Sequence, residues 1–219
     1  MVKVFLCTTA VAMQNLIVFC QQCLAWIEPQ SELCPECGCP VVLDQPDPDR
    51  DTLARMMGTP LMFLGAARVE RLALPSFGEL IGTTEGVLFL PRLHRRLNGA
   101  WEGVASTRLP AWWPFRGDHT SPKFLDWLRR PSGVQVFDPA KGGEPEPIPT
   151  SLPDRLLDSP GAFFAERKFI RSISARKRMV KLDRSPFRSI TLVDETEDCS
   201  LAASLNSLAL RAARERAPV

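Results

Sequence analysis

Histidine is nearly absent from this chain, with two residues, His94 and His119, among 219. His94 stands beside arginine and His119 beside aspartate, and no Gly-rich phosphate loop or nucleophile motif lies near either. Sequence neighbours such as Asp118 and His119 do not face each other in any regular element, so they form no dyad. The chain therefore offers little for acid–base catalysis, and we expect a protein that is not an enzyme. A charge excess is also missing: 27 Lys and Arg against 25 Asp and Glu leave a net charge of +2, which does not call for a polyanion partner. Long apolar runs are lacking too. Gln14 and Asn15 interrupt the N-terminal run before it reaches the roughly 20 residues of a membrane span.

Proline, by contrast, is plentiful. Its 20 residues favour loops, short strands and linkers over long helices. The length suits one or two domains, and an apolar share of 45% is ordinary for a globular chain.

Cysteine carries the strongest signal. Four of the seven fall in two pairs, Cys20-Gln21-Gln22-Cys23 and Cys34-Pro35-Glu36-Cys37. Two residues between cysteines let a tight turn aim both sulfurs at one point, with backbone amides facing the thiolates. Pro35 pre-sets the second turn, and Gly38 permits a positive φ after it. A redox pair would instead open a helix after a buried strand. Cys20, Cys23, Cys34 and Cys37 thus read as the ligands of one zinc ion, with iron possible on the same donors. Four thiolates fill a tetrahedron and leave no place for a reactive water, so the site is structural. Cys39 is either an alternative to Cys37 or a spectator, and the spacing favours Cys37. Cys199, in an apolar-periodic stretch, reads as a small buried hydrophobe. The Cys-Pro-x-Cys-Gly knuckle resembles the zinc-ribbon family over residues 16–43, and that resemblance implies the same four ligands.

The first nineteen residues admit three readings: retained, cleaved as an export signal, or untranslated with a start at Met13. Export would favour disulfides over zinc. We expect no export and a cytoplasmic chain, with membrane association open.

Three segments follow from composition: a zinc ribbon over 14–43, an acidic linker over 44–60, and a β domain over 61–219 with an insertion at about 94–160. Glu79–Thr84 and Val87–Pro91 flank a Glu85-Gly86 turn and read as a hairpin, its second run buried on both faces. Residues 123–130 read as a short helix and 131–160 as a linker. Runs at 162–165, 169–174, 179–182 and 189–193 read as four strands. Leu201, Leu205, Leu208 and Ala212 mark one face of a closing helix, with Thr196 as its candidate N-cap. The fold class is mainly β with a C-terminal helix. Its element order resembles the pleckstrin-homology-like barrels, including the lipid-associated GRAM type, which implies a domain that binds protein or a lipid surface.

Two further stretches carry candidate contacts. Four of the five tryptophans lie in the insertion, where Trp112, Trp113 and Arg116 pair rings with a cation, as an anionic membrane or single-stranded nucleic acid would require. The plainer alternative is a packed core. Arg167, Lys168, Arg171, Arg176, Lys177, Arg178, Lys181 and Arg184 fall on adjacent strands and would give one positive face. There the plainer alternative is a solvated sheet. Around the cysteines stand Glu28, Glu32, Glu36, Asp44, Asp47, Asp49 and Asp51, which would repel a phosphate backbone. The ribbon therefore reads as a protein-contact module, with Trp26 either an exposed anchor or packed over the metal. The leading expectation is a zinc-ribbon adaptor with a protein partner. A nucleic-acid-binding protein, using the basic strands and the insertion, is the alternative.

Overall fold

The computed structural model describes residues 17–28, 32–42, 46, 48–69, 75–95, 101–103 and 151–215, without the side chains of 101, 102 and 209–215. Trp112, Trp113, Arg116, His119 and the expected helix at 123–130 lie outside the described residues. The chain is mainly β. Its strands are β1 (Val18–Cys20), β2 (Ala25–Ile27), β3 (Pro60–Val69), β4 (Ser76–Thr83), β5 (Gly86–Arg95), β6 (Trp101–Gly103), β7 (Phe163–Glu166), β8 (Ile170–Arg176), β9 (Met179–Arg184) and β10 (Ile190–Asp194). Among the described residues three α-helices accompany them: α1 (Arg50–Met57), α2 (Leu152–Leu157) and α3 (Leu201–Glu215).

The ten strands among the described residues join one antiparallel sheet, nine of them in the order β1-β2-β7-β5-β4-β3-β10-β9-β8. β5 pairs with β7 along its first half, and β6 adds to its second half. Ile27 on β2 and Leu182 on β9 stand near opposite ends of this order, yet both belong to one core. The sheet must therefore curl. Its concave face holds Leu64, Leu80, Phe89, Phe163, Leu182, Leu192 and three of the cysteines. The three leucines expected on the closing helix, Leu201, Leu205 and Leu208, are buried there. Each fully buried leucine contributes about 1.5–3 kcal/mol. Gly65 lets the segment leading into this helix approach, because a Cβ there would meet Thr196 Cγ2 at 2.5 Å.

The convex face is covered as well. Leu53 and Met57 of α1 and Leu152 and Leu156 of α2 pack on Ile81, Leu88, Leu90 and Phe164. That double cover explains why every residue of β4 is buried, and why the run at 87–90 is apolar on both sides. α1 lies within the stretch read as an acidic linker. Asp49 caps it by accepting from the Thr52 N–H at 3.0 Å, and Gly58 ends it. α2 lies within the stretch read as a linker over 131–160, capped by Ser151.

One ion pair ties sheet to helix on this face. Glu79 on β4 is fully buried, and Arg155 on α2 donates to it at 3.2 Å. Burial pulls the Arg155 and Arg92 guanidinium groups down, and the Glu79 charge opposes that in both. Replacing Glu79 by alanine would remove the buried carboxylate that faces both of these cations. We expect a loss of about 3–5 kcal/mol in a urea-unfolding midpoint experiment with unchanged slope.

Two expectations near the last helix fail. It starts at Leu201 rather than just after Thr196, because Asp194 at the end of β10 takes the amides. Asp194 accepts from the N–H of Thr196 at 2.8 Å and of Leu201 at 3.0 Å. Cys199 is exposed, not buried, in the turn that precedes the helix, where its φ is 56°. Among the described residues no helix is long and apolar enough to cross a membrane.

Candidate metal centre

β1 and β2 form a hairpin with Cys20 opposite Ala25, and the turn at 21–24 carries Cys23. The second turn lies between Leu33 and Pro40, which bridge each other. There the Cys34 N–H donates to the Cys39 carbonyl, and the Gly38 N–H to the Cys34 carbonyl, both at 2.8 Å. Gly38 has a φ of 74°, the left-handed conformation that glycine adopts without penalty.

These two turns bring four sulfurs together. The Sγ atoms of Cys20, Cys23, Cys34 and Cys37 all lie within 4.8 Å of one another. Cys20 and Cys37 are 3.6 Å apart, and Cys23 and Cys34 are 3.8 Å apart. A tetrahedron with metal–sulfur bonds of about 2.3 Å has edges of about 3.8 Å, so the donor set fits a tetrathiolate shell. The cysteines are free, at separations far above the roughly 2.05 Å of a disulfide. Cys39 is not in the cluster. Backbone N–H groups of Gln22 and Cys23 face Cys20, and those of Glu36 and Cys37 face Cys34. As a set of thiols alone, Cys20 is drawn down to about 5 and Cys34 to about 6, in each case first by a hydrogen bond with Cys23 and against burial. Cys23 is pushed up by its sulfur neighbours, and Cys37 chiefly by burial. Four thiolates cannot ionise together at this spacing without a cation among them.

The site is welded to the sheet on two sides. On one, Ala25 pairs with Phe163, the Trp26 N–H donates to the Ala162 carbonyl at 3.1 Å, and the Phe164 N–H to the Leu24 carbonyl at 2.8 Å. On the other, Glu36 meets the corner between β9 and β10. Its carbonyl accepts from the Arg188 N–H at 3.1 Å, and its carboxylate from Arg184 at 3.4 Å. Arg184 also donates to the Arg188 carbonyl at 2.9 Å. The cysteine segment thus bridges β7 and the β9–β10 corner, across the open side of the curled sheet.

Arg184 therefore does not belong to the solvated basic face where the sequence placed it. Its side chain is 2% exposed. Burial pulls its guanidinium down, and Glu36 together with Cys23, Cys37 and Cys34 opposes that. It is a buried cation beside a shell that would carry two net negative charges around a divalent ion. Trp26 is neither an exposed anchor nor a lid on the sulfurs. It packs on the convex face, edge-on to Phe19, and donates from Nε1 to the Leu156 carbonyl at 2.9 Å.

The remaining candidate cations sit on β8, β9 and the turns beside them. Arg171, Arg176, Lys177 and Arg178 are exposed. Lys168, also largely exposed, pairs with Glu166 at 2.5 Å, and Lys181 with Asp183 at 2.7 Å. Arg178 reaches Glu195 only at 4.0 Å but donates to the Asp194 carbonyl at 3.2 Å. His94 bonds through Nδ1 to Ser76, its cross-strand partner, at 2.8 Å. In comparisons with models of protein families, with curated proteins and with solved structures, nothing matches this chain.

Proposed function

We propose that the chain is a non-enzymatic adaptor: a zinc ribbon built into a pleckstrin-homology-like curled sheet that binds a protein partner or a lipid surface. The observation that carries this reading is the four-sulfur shell, closed in itself and anchored to the sheet on both sides. Thiolate donors in a tetrahedron suit zinc, which here supplies folding energy and no open coordination position. The pleckstrin-homology-like reading draws its support from the strands β3 to β6, a long excursion, the four strands β7 to β10 and one terminal helix packed into the concave face.

The test is a binding screen on the purified, metal-loaded full chain: vesicles with and without anionic lipid, peptide arrays, and self-association by sedimentation. Binding to a peptide or a lipid surface at micromolar levels is expected. Failure to bind lipid, peptide or a second copy would sink the adaptor reading. Salt-steep binding to single-stranded oligonucleotides alone would move the function to nucleic acid.

A further inference from the structure

The hairpin of β8 and β9 ends in a tip whose composition points to one kind of surface. From Ile170 to Leu182 the chain reads IRSISARKRMVKL, with five cations and no acid. Ile173, Val180 and Leu182 supply its inward face. Arg176 pairs with Met179 across the strands, and Ser174 with Lys181, so these four share the outward face. Lys177 and Arg178 form the two-residue turn between the strands. Met179 is 55% exposed, one of three large apolar side chains that stand in solvent among the described residues. No carboxylate among the described residues pairs with Arg171, Arg176 or Lys177, whereas Lys168, Lys181 and Arg178 each have one near.

The turn itself is strained. Lys177 holds a φ of 55°, a conformation that glycine or asparagine adopts far more readily. A lysine kept there costs stability, and a charge at the tip is what it gains.

We propose that this tip, Arg176, Lys177 and Met179 with Arg178 tethered behind them, docks on an anionic bilayer surface. Cations there meet lipid phosphate and carboxylate, while the exposed methionine enters the headgroup boundary. No aromatic ring stands in the segment to stack on a base, which single-stranded nucleic acid would require. The inference rests on the reading of the domain as a surface-binding module and names the element that does the binding.

Vesicle sedimentation with the full chain tests it, using phosphatidylcholine with and without phosphatidylserine. The variant is Arg176→Gln with Lys177→Gly, the second change relieving the strained φ so that folding is retained or improved. The unsubstituted chain is expected to bind the anionic vesicles and not the neutral ones. The variant should bind about thirtyfold more weakly, from roughly fivefold per cation, at an unchanged or raised melting temperature. Met179→Ser should remove the part of the binding that survives high salt. Vesicle binding unaffected by the double variant would overturn the assignment of the tip while leaving a lipid-binding domain in place. No vesicle binding alongside capture of a peptide would overturn the inference and leave the adaptor reading standing. Equal loss of oligonucleotide binding in the same variant would also overturn it.

Discussion

Exchange of Cys20 and Cys34 for serine is expected to destabilise the whole sheet, not only the cysteine hairpin. One ligand is taken from each turn, so no half-site survives. Structural zinc in small peptides contributes about 10–16 kcal/mol of apparent binding energy at neutral pH, against a total of about 5–15 kcal/mol for a whole domain. A free-standing ribbon could lose that energy without consequence for its neighbours. Here Cys20, Cys23 and Cys34 line the same core as Phe89, Phe163, Leu182 and Leu205. The segment also supplies the edge partner of β7 and the acceptor for the Arg188 N–H. Loss of about 5 kcal/mol would lower the melting temperature by about 10–20 °C for a chain of this size. Hydrogen exchange locates the effect: protection should fall in β7, β9 and β10 as well as in β1 and β2. Loss confined to residues 17–42 would show that the segment folds apart from the sheet.

The second large effect is expected at Arg184. Arg184→Met removes a guanidinium that is 2% exposed and leaves the Glu36 carboxylate, 11% exposed, without its partner. Breaking such a buried pair from one side costs about 3–5 kcal/mol. The same change deprives the thiolates of the cation beside them, and outer-shell changes of this kind weaken metal affinity about 10–100-fold. Two controls separate the effects. The double variant Glu36→Gln with Arg184→Met should regain much of the stability, because no buried charge is orphaned. It should not regain the metal affinity, because the cation beside the sulfurs is still missing. Competition with a chelating dye reads the affinity, and a urea midpoint reads the stability. Equal metal affinity in the single variant and the unsubstituted chain would show that Arg184 serves the corner alone.

Local signals along the chain specify local structure. The cysteine spacing carried the four-sulfur cluster because each pair needs only one tight turn. The Glu85-Gly86 turn, the strands of the last third and the leucine face of α3 were legible for the same reason. The sheet order was not. β5 and β7 pair although the long stretch from 96 to 162 lies between them, and nothing in either strand names its partner. β2 joins β7 from still further away.

Some misread residues did carry a usable signal. Val180, Leu182 and Arg184 alternate along β9, so strict period-two reading turns Arg184 inward with the two apolar residues. Ile190, Leu192 and Asp194 do the same on β10, which places a carboxylate beneath the start of α3. Asp49, the Leu53–Met57 spacing and Gly58 spell a capped helix, hidden by the density of proline and aspartate before it.

A metal held by Cys20, Cys23, Cys34 and Cys37 would staple the curled sheet across its open side. Denaturant unfolding of the metal-loaded chain, followed at once by far-ultraviolet circular dichroism and by a zinc-indicator dye, is the measurement that decides this. One zinc per chain is expected, released in the same transition that melts the sheet. Zinc released at lower denaturant with the β signal intact, or a purified chain with no bound metal and a stable sheet, would contradict it.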